Sequence, residues 1–448
     1  MKPCFAPLFA LTTSLVAQDG VLDLTQLENY ANQTVPSYIT ATSRDNTPAD
    51  NPITDLGATL GRVLFYDKRL SRNSTISCAS CHQQENAFSD LDLQSTGVSG
   101  ITGRHSMRLI NSRFADEDNF FWDERANTLE DQTTQPIQDH IEMGFSGTLD
   151  DPDFSDLVTR LSAIDEYHVL FSAVFDDPTI TETRIQDALA QFIRSIQSFD
   201  SKYDEGRSQV NNDNVDFPNF TASENNGKDL FLAPPGPGAG CAICHRPPTF
   251  DIDPNSGNNG VVGNLTGGTD TTVTRSPSLR DMVTSTGVPH GPFMHDGSLA
   301  TLTDVINHYD DVTPVAGLDR RLAGGRGGNG QNLNLSAQEI TDLVAFLETL
   351  TGSDVYTNPK WSDPFDPAGN LSLIILAENE MEIAHNLTQA NISTFGVTGM
   401  TYTLEWADNL EFTNSTSASV TCNESGVLSH LVDVSGQQKL FFRYTYQP

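Results

Sequence analysis

Two copies of one pentapeptide constrain this chain more than any other feature: Cys78-Ala-Ser-Cys81-His82 and Cys241-Ala-Ile-Cys244-His245. Cys-x-x-Cys-His is the attachment pattern of c-type haem. Its two thiols add to the haem vinyl groups as thioethers, and the histidine that follows becomes an axial iron ligand. Two Cys-x-x-Cys pairs could instead form a Cys4 zinc site or two redox dithiols. Either alternative leaves the repeated histidine unexplained. With six cysteines in the chain, four are committed to these motifs. The reading is two covalently bound haem c groups, one on Cys78, Cys81 and His82, the other on Cys241, Cys244 and His245.

Residues 1–17 read as a signal peptide: a positive start at Lys2, a short apolar run, and Ala17 as a cleavage position. No later stretch approaches a membrane span. An exported, periplasmic protein is expected, which agrees with covalent haem attachment outside the bacterial cytoplasm. The net charge of -34 argues against nucleic-acid partners, because phosphate would be repelled. Cys4 leaves with the signal peptide, so Cys422 is expected as a buried, unpaired thiol.

The expected fold is mainly α: two cytochrome c-like haem domains followed by a small, sandwich-like all-β domain. Residues 18–55 read as an extended lead-in. A first haem domain spans 56–215, with its clearest helix at Thr183–Phe199, where Ile185, Leu189, Phe192 and Ile193 share a face. The polar stretch Asn211–Asn226 reads as a linker. A second haem domain spans 227–355. Its last helix is announced by a capping box, Ser336-x-x-Glu339, and an apolar face of Ile340, Leu343, Val344 and Leu347. Alternation at Thr401–Trp406 and Leu440–Tyr446 marks strands within a β domain at 366–448, read as an accessory or packing module.

The segments around the motifs give the haems unequal roles. After the first comes Phe120-Phe121-Trp122-Asp123-Glu124-Arg125-Ala126, then Gln132, Pro136 and Glu142-Met143-Gly144. After the second come Pro277-Ser278-Leu279-Arg280, Gly291-Pro292-Phe293-Met294-His295-Asp296-Gly297, Thr301-Leu302 and His308-Tyr309. Over roughly residues 55–355 this order and spacing resemble the bacterial di-haem cytochrome c peroxidase family, which includes MauG. The resemblance implies that His82 carries the peroxidatic haem, with its far face open to hydrogen peroxide. Glu142 would move a proton between the peroxide oxygens. Gln132 would orient the bound oxygen, Pro136 would shape the pocket, and Trp122 would lie between the haems. His245 would carry the electron-transfer haem. Its second ligand would lie fourteen residues after His295, at Tyr309, with Met294 and His308 as competitors. Arg280 would pair with a haem propionate, and His295 would hydrogen-bond nearby.

Two departures from the family pattern matter. No histidine lies between His82 and His105, so the peroxidatic site is expected to rest open, without reductive activation. His105 stands where the family often has a calcium-binding Asn, with the backbone carbonyls of His290 and Pro292 as the remaining expected ligands. Histidine is a poor calcium ligand, which puts calcium in doubt. The resemblance implies a peroxidase that draws electrons from a small cytochrome c or cupredoxin, and it admits a homodimer. A MauG-like oxidase of a protein substrate and a non-catalytic electron carrier are the alternatives.

Overall fold

The computed structural model describes residues 19–116, 119–252, 256–272, 274–324, 328–377, 381–386 and 388–446. The expected signal peptide lies outside them. Each Cys-x-x-Cys-His motif sits beside a pair of tightly packed helices. In the first region these are Asp55–Tyr66 and Glu182–Ser195. Thr54 and Thr181 cap their N-termini by accepting the N–H of Gly57 and Arg184. Leu60, Val63, Leu64 and Phe65 of one helix meet Ala188, Leu189 and Phe192 of the other, all buried. Gly61 permits the close approach, since a Cβ there would lie 2.0 Å from the carbonyl oxygen of Ala188. The second helix stops at Ser195, short of the expected Phe199. There the backbone turns extended so that Ile196 O accepts the N–H of Asn111, while Asn111 Oδ1 accepts that of Ser198.

The second region repeats the device. Helices Ala222–Leu232 and Ala337–Glu348 cross at Gly227, where a Cβ would lie 1.9 Å from the Asp342 carbonyl oxygen. Phe231, Leu343, Phe346 and Leu347 fill the contact. The capping box forms as read: Ser336 N donates to Glu339 Oε2 at 2.7 Å and Glu339 N to Ser336 Oγ at 3.3 Å.

The boundary between the regions differs from expectation. Tyr203, in the helix Lys202–Arg207, and Phe217 belong to the second core. Within the polar stretch 211–226, Phe217 is therefore anchored on the second core, while most of its neighbours stay exposed. Asn225 takes the N–H of Phe217 on its side-chain oxygen and donates back to the Phe217 carbonyl. The polar composition of the stretch masks these aromatic anchors.

The lead-in also differs. Its strand Val21–Asp23 pairs in parallel with Ser372–Ile374. Tyr30 is fully buried, and its hydroxyl donates to the Lys360 carbonyl. The segment straps the first region to the C-terminal part. That part holds two three-stranded antiparallel sheets. One orders Glu382–His385, Gln389–Phe395 and Val427–Asp433; the other orders Phe441–Thr445, Thr401–Ala407 and Thr416–Thr421. Ile392, Tyr402, Leu404, Val420, Leu428 and Tyr444 fill the space between, and the Tyr444 hydroxyl crosses to the Ile392 carbonyl at 3.0 Å. Trp406 and Phe442 face each other in register but stay half-exposed. Cys422 is buried as a free thiol.

Candidate active site

The short helix Cys78–Cys81 is opened by a capping box between Ser77 and Ser80, which leaves His82 at its end. His82 Nδ1 lies 3.1 Å from the Phe88 carbonyl oxygen. A carbonyl only accepts, so Nδ1 carries the proton and Nε2 keeps a free lone pair, the arrangement an iron ligand needs. Burial holds the ring neutral by lowering its pKa.

His82 and Cys81 line a chamber with Trp122, Gln132, Pro136 and Glu142. The four residues that the sequence singled out around this motif thus share one chamber. Gln132 and Pro136 stand at the helix Leu129–Thr134 and just beyond it. Glu142 follows on a turn, half-buried against the chamber. Burial, reinforced by Asp139 and opposed by Arg125, pushes its carboxyl up to about 7. A carboxyl poised near neutrality can both take and return a proton.

The second centre has the same proximal design. His245 Nδ1 lies 3.3 Å from the Phe250 carbonyl oxygen, and burial lowers the ring's pKa to about 4. A chamber is lined by Cys241, Cys244, His245, Met282, Leu343 and Tyr309, among others. Tyr309 enters it from the helix Leu302–Asp310, and burial raises its phenol pKa. Of the competing ligands, Met294 takes a hydrogen bond on sulfur from Asn259 at 3.3 Å, and His308 Nε2 lies 2.9 Å from the Asn259 carbonyl oxygen. Tyr309 lines both chambers that His245 lines, Met294 lines the smaller of the two, and His308 lines neither.

That smaller chamber lies toward the first centre. Trp122, His105, Arg108 and Arg275 line both it and the His82 chamber. Arg108 and Arg275 were not anticipated from sequence. The Nε of Arg108 is buried without a partner, and burial pulls its pKa down to about 10. A buried guanidinium with an unmet donor, facing chambers beside two Cys-x-x-Cys-His motifs, fits the carboxylate of a haem propionate. Nothing in the local sequence marks this arginine; only its placement does.

Arg280 requires a correction. It is fully buried, and it spends both terminal nitrogens on Asp204, at 2.7 and 2.9 Å, and one also on the Pro248 carbonyl. It lines none of the chambers described. Its terminal nitrogens tie the helix Lys202–Arg207 to the second core, and its buried Nε has no partner. His295 is buried behind Trp122, ring centroids 6.3 Å apart, with Nε2 at 3.0 Å from the Gly263 carbonyl oxygen.

The site at His105 does not fit calcium. Its Nδ1 faces the Asp92 carbonyl at 3.1 Å, its buried Nε2 has no partner, and burial lowers its pKa to about 4. The imidazole lies against Gly291, where a Cβ would come within 3.2 Å of the ring. A neutral nitrogen donor thus stands where a hard cation wants oxygen.

Two motif-bearing chambers joined through one tryptophan define a two-centre redox protein. Comparison with known proteins gives the family. Residues 56–212 match the model of the di-haem cytochrome c peroxidases. The methylamine utilization protein MauG of Methylophilus methylotrophus is 33% identical over 68% of this chain and 85% of its own. The cytochrome c551 peroxidase of Nitrosomonas europaea is 27% identical over 70% and 84%. Among solved structures, a MauG-like protein associated with microbial copper homeostasis matches with a TM-score of 0.59, at 31% identity over 74% of this chain and 99% of its own. The diheme peroxidase BthA of Burkholderia thailandensis shares the fold, with a TM-score of 0.51 at 20% identity over 73% and 94%. This chain belongs to the di-haem cytochrome c peroxidase and MauG family, a family of oxidoreductases that implies haem c as cofactor.

Proposed function

We propose that this chain is a di-haem c peroxidase, reducing hydrogen peroxide to two waters with two protons and with two electrons from a small cytochrome c or cupredoxin. The observation that carries the reading is Glu142, a half-buried carboxyl poised near neutrality in the chamber that His82 lines. An electron carrier has no use for such a group. The haems supply the iron that binds peroxide and the path that feeds it electrons. The chain does the rest. Glu142 takes the proton from the near peroxide oxygen and hands it to the far one, so that water is the leaving group. Gln132 orients the bound oxygen through its amide. Pro136 contributes wall without a competing donor. Residues 83–104 hold no histidine, and His105 on the chamber wall packs against Gly291, which supports a site that needs no prior reduction.

Tyr309 favours a second reading. An axial phenolate stabilises ferric iron and lowers the haem potential, which suits a MauG-like enzyme that draws electrons from a protein substrate. Steady-state peroxide consumption with reduced cytochrome c, in wild type and Glu142→Gln, tests the peroxidase. No consumption by wild type would overturn it. We also infer an exported, periplasmic protein, in keeping with covalent haem attachment and the basic, apolar start of the chain. No described helix is long and apolar enough to cross a membrane.

A further inference from the structure

The turn that carries Glu142 is held from two sides. On one, Asp139 Oδ1 accepts the backbone N–H of Ile141 at 2.8 Å and of Glu142 at 3.0 Å. The Asp139 carbonyl takes that of Gly144 at 2.7 Å. On the other, Val98 N donates to the Glu142 carbonyl at 3.0 Å and Ser99 N to that of Ile141 at 3.1 Å. Gly97 allows this approach, because a Cβ there would lie 2.1 Å from the Ile141 oxygen. The Asp139 side chain also stands at an opening that reaches Glu142, lined by Arg125, Gln135, Pro136, Gln138 and both acids.

We propose that Asp139 is a positioning residue for the peroxide reaction: its carboxylate pins the Glu142 turn through two N–H groups and sets a negative charge at the mouth beside it. The proposal rests on the reading of Glu142 as the proton-transfer group. Asp139 does two separable things. As an acceptor it fixes where the Glu142 backbone lies. As an anion it favours the protonated form of Glu142, in the same direction as burial and against Arg125. The other ionisable groups lining the Glu142 chambers are Cys78 and Cys81, which haem attachment converts to thioethers, His82 as an iron ligand, and Arg104, His105, Arg108, Asp123, Asp270 and Arg275 on the far walls.

Asp139→Asn separates the two, since the amide oxygen can still accept both N–H groups while the charge is gone. Asp139→Ala removes both. The holoprotein is followed by the pH profile of peroxide turnover and by infrared titration of the Glu142 carboxyl, assigned by difference from Glu142→Gln. Thermal melting and the haem spectrum report folding. In Asp139→Asn, the acid limb of the turnover profile and the carboxyl titration both move down by about half to one pH unit. That variant is then faster than wild type below pH 7. In Asp139→Ala, kcat falls roughly 10- to 100-fold with the haem spectrum unchanged. If Asp139→Asn leaves both the limb and the carboxyl titration at the wild-type position while turnover persists, Asp139 has no such role. A wild type without turnover overturns the peroxidase reading itself, a separate result.

Discussion

The indole N–H of Trp122 donates to the backbone carbonyl of His105 at 2.7 Å. In turn, His105 N donates to the His295 carbonyl at 2.8 Å, and Arg275 N donates to that of Trp122, also at 2.8 Å. Trp122, which lines the His82 chamber and the smaller chamber beside it, is thereby tied to main chain from both regions. Replacing Trp122 with Phe should leave peroxide binding at the first centre intact and slow electron delivery from the second. Stopped-flow spectroscopy of the two haems resolves the steps. Equal rates in wild type and variant would remove Trp122 from the path.

Glu142 must be ionised to accept a proton, and its carboxyl is pushed up to about 7. Turnover should therefore rise with pH through that value. Glu142→Gln should lose the limb and about 100- to 10,000-fold in rate. Stability runs the other way. A carboxyl whose folded pKa exceeds its unfolded value stabilises the fold while protonated, and that contribution is lost as pH rises through about 7. The Gln variant should consequently melt higher than wild type at alkaline pH, which calorimetry reads directly.

Arg280 and Asp204 form a buried, two-pronged ion pair. Removing the arginine alone strands a buried carboxylate, at about 3–5 kcal/mol. Arg280→Ala should melt far below wild type, and Arg280→Met with Asp204→Asn should recover part of the loss. Burial alone would raise the Asp204 pKa, but Arg280 overrides it and holds the carboxyl low. The pair's contribution is present above the ordinary Asp range and is lost as pH falls from there through the lowered folded value. A melting temperature unchanged by Arg280→Ala would refute this account.

Chelation of calcium should change neither melting nor turnover, because the His105 imidazole occupies the seam against Gly291. A calcium-dependent rise in the wild-type melting temperature would count against it. His105→Asn, which restores an oxygen donor, is the variant in which calcium dependence should emerge.

Tyr309 should ligate the second iron. Tyr309→Met should raise that haem's potential, and Tyr309→Phe should alter its spectrum. A spectrum indifferent to Tyr309→Phe would shift the assignment to Met294 or His308.

The sequence by itself determined the covalent chemistry and the local structure. Haem attachment needs two thiols and an imidazole within five residues, so Cys78–His82 and Cys241–His245 were legible as written. The capping box at Ser336 and the apolar faces of the helices Glu182–Ser195 and Ala337–Glu348 were equally local. The spacing of Trp122, Gln132, Pro136 and Glu142 suggested that they meet, but only the tertiary structure put them on one chamber wall. Tertiary contacts also decided what spacing cannot hold. Arg280 looked like a propionate ligand until Asp204, from the helix Lys202–Arg207, claimed both its terminal nitrogens. Arg108 was one arginine among many until burial left its Nε unmet. The strap of Val21–Asp23 on Ser372–Ile374 joins residues about 350 apart, which no local pattern encodes. Motif chemistry is fixed by covalent neighbours. Charge partners and protonation states are fixed by whichever groups the packed chain places within a few ångströms.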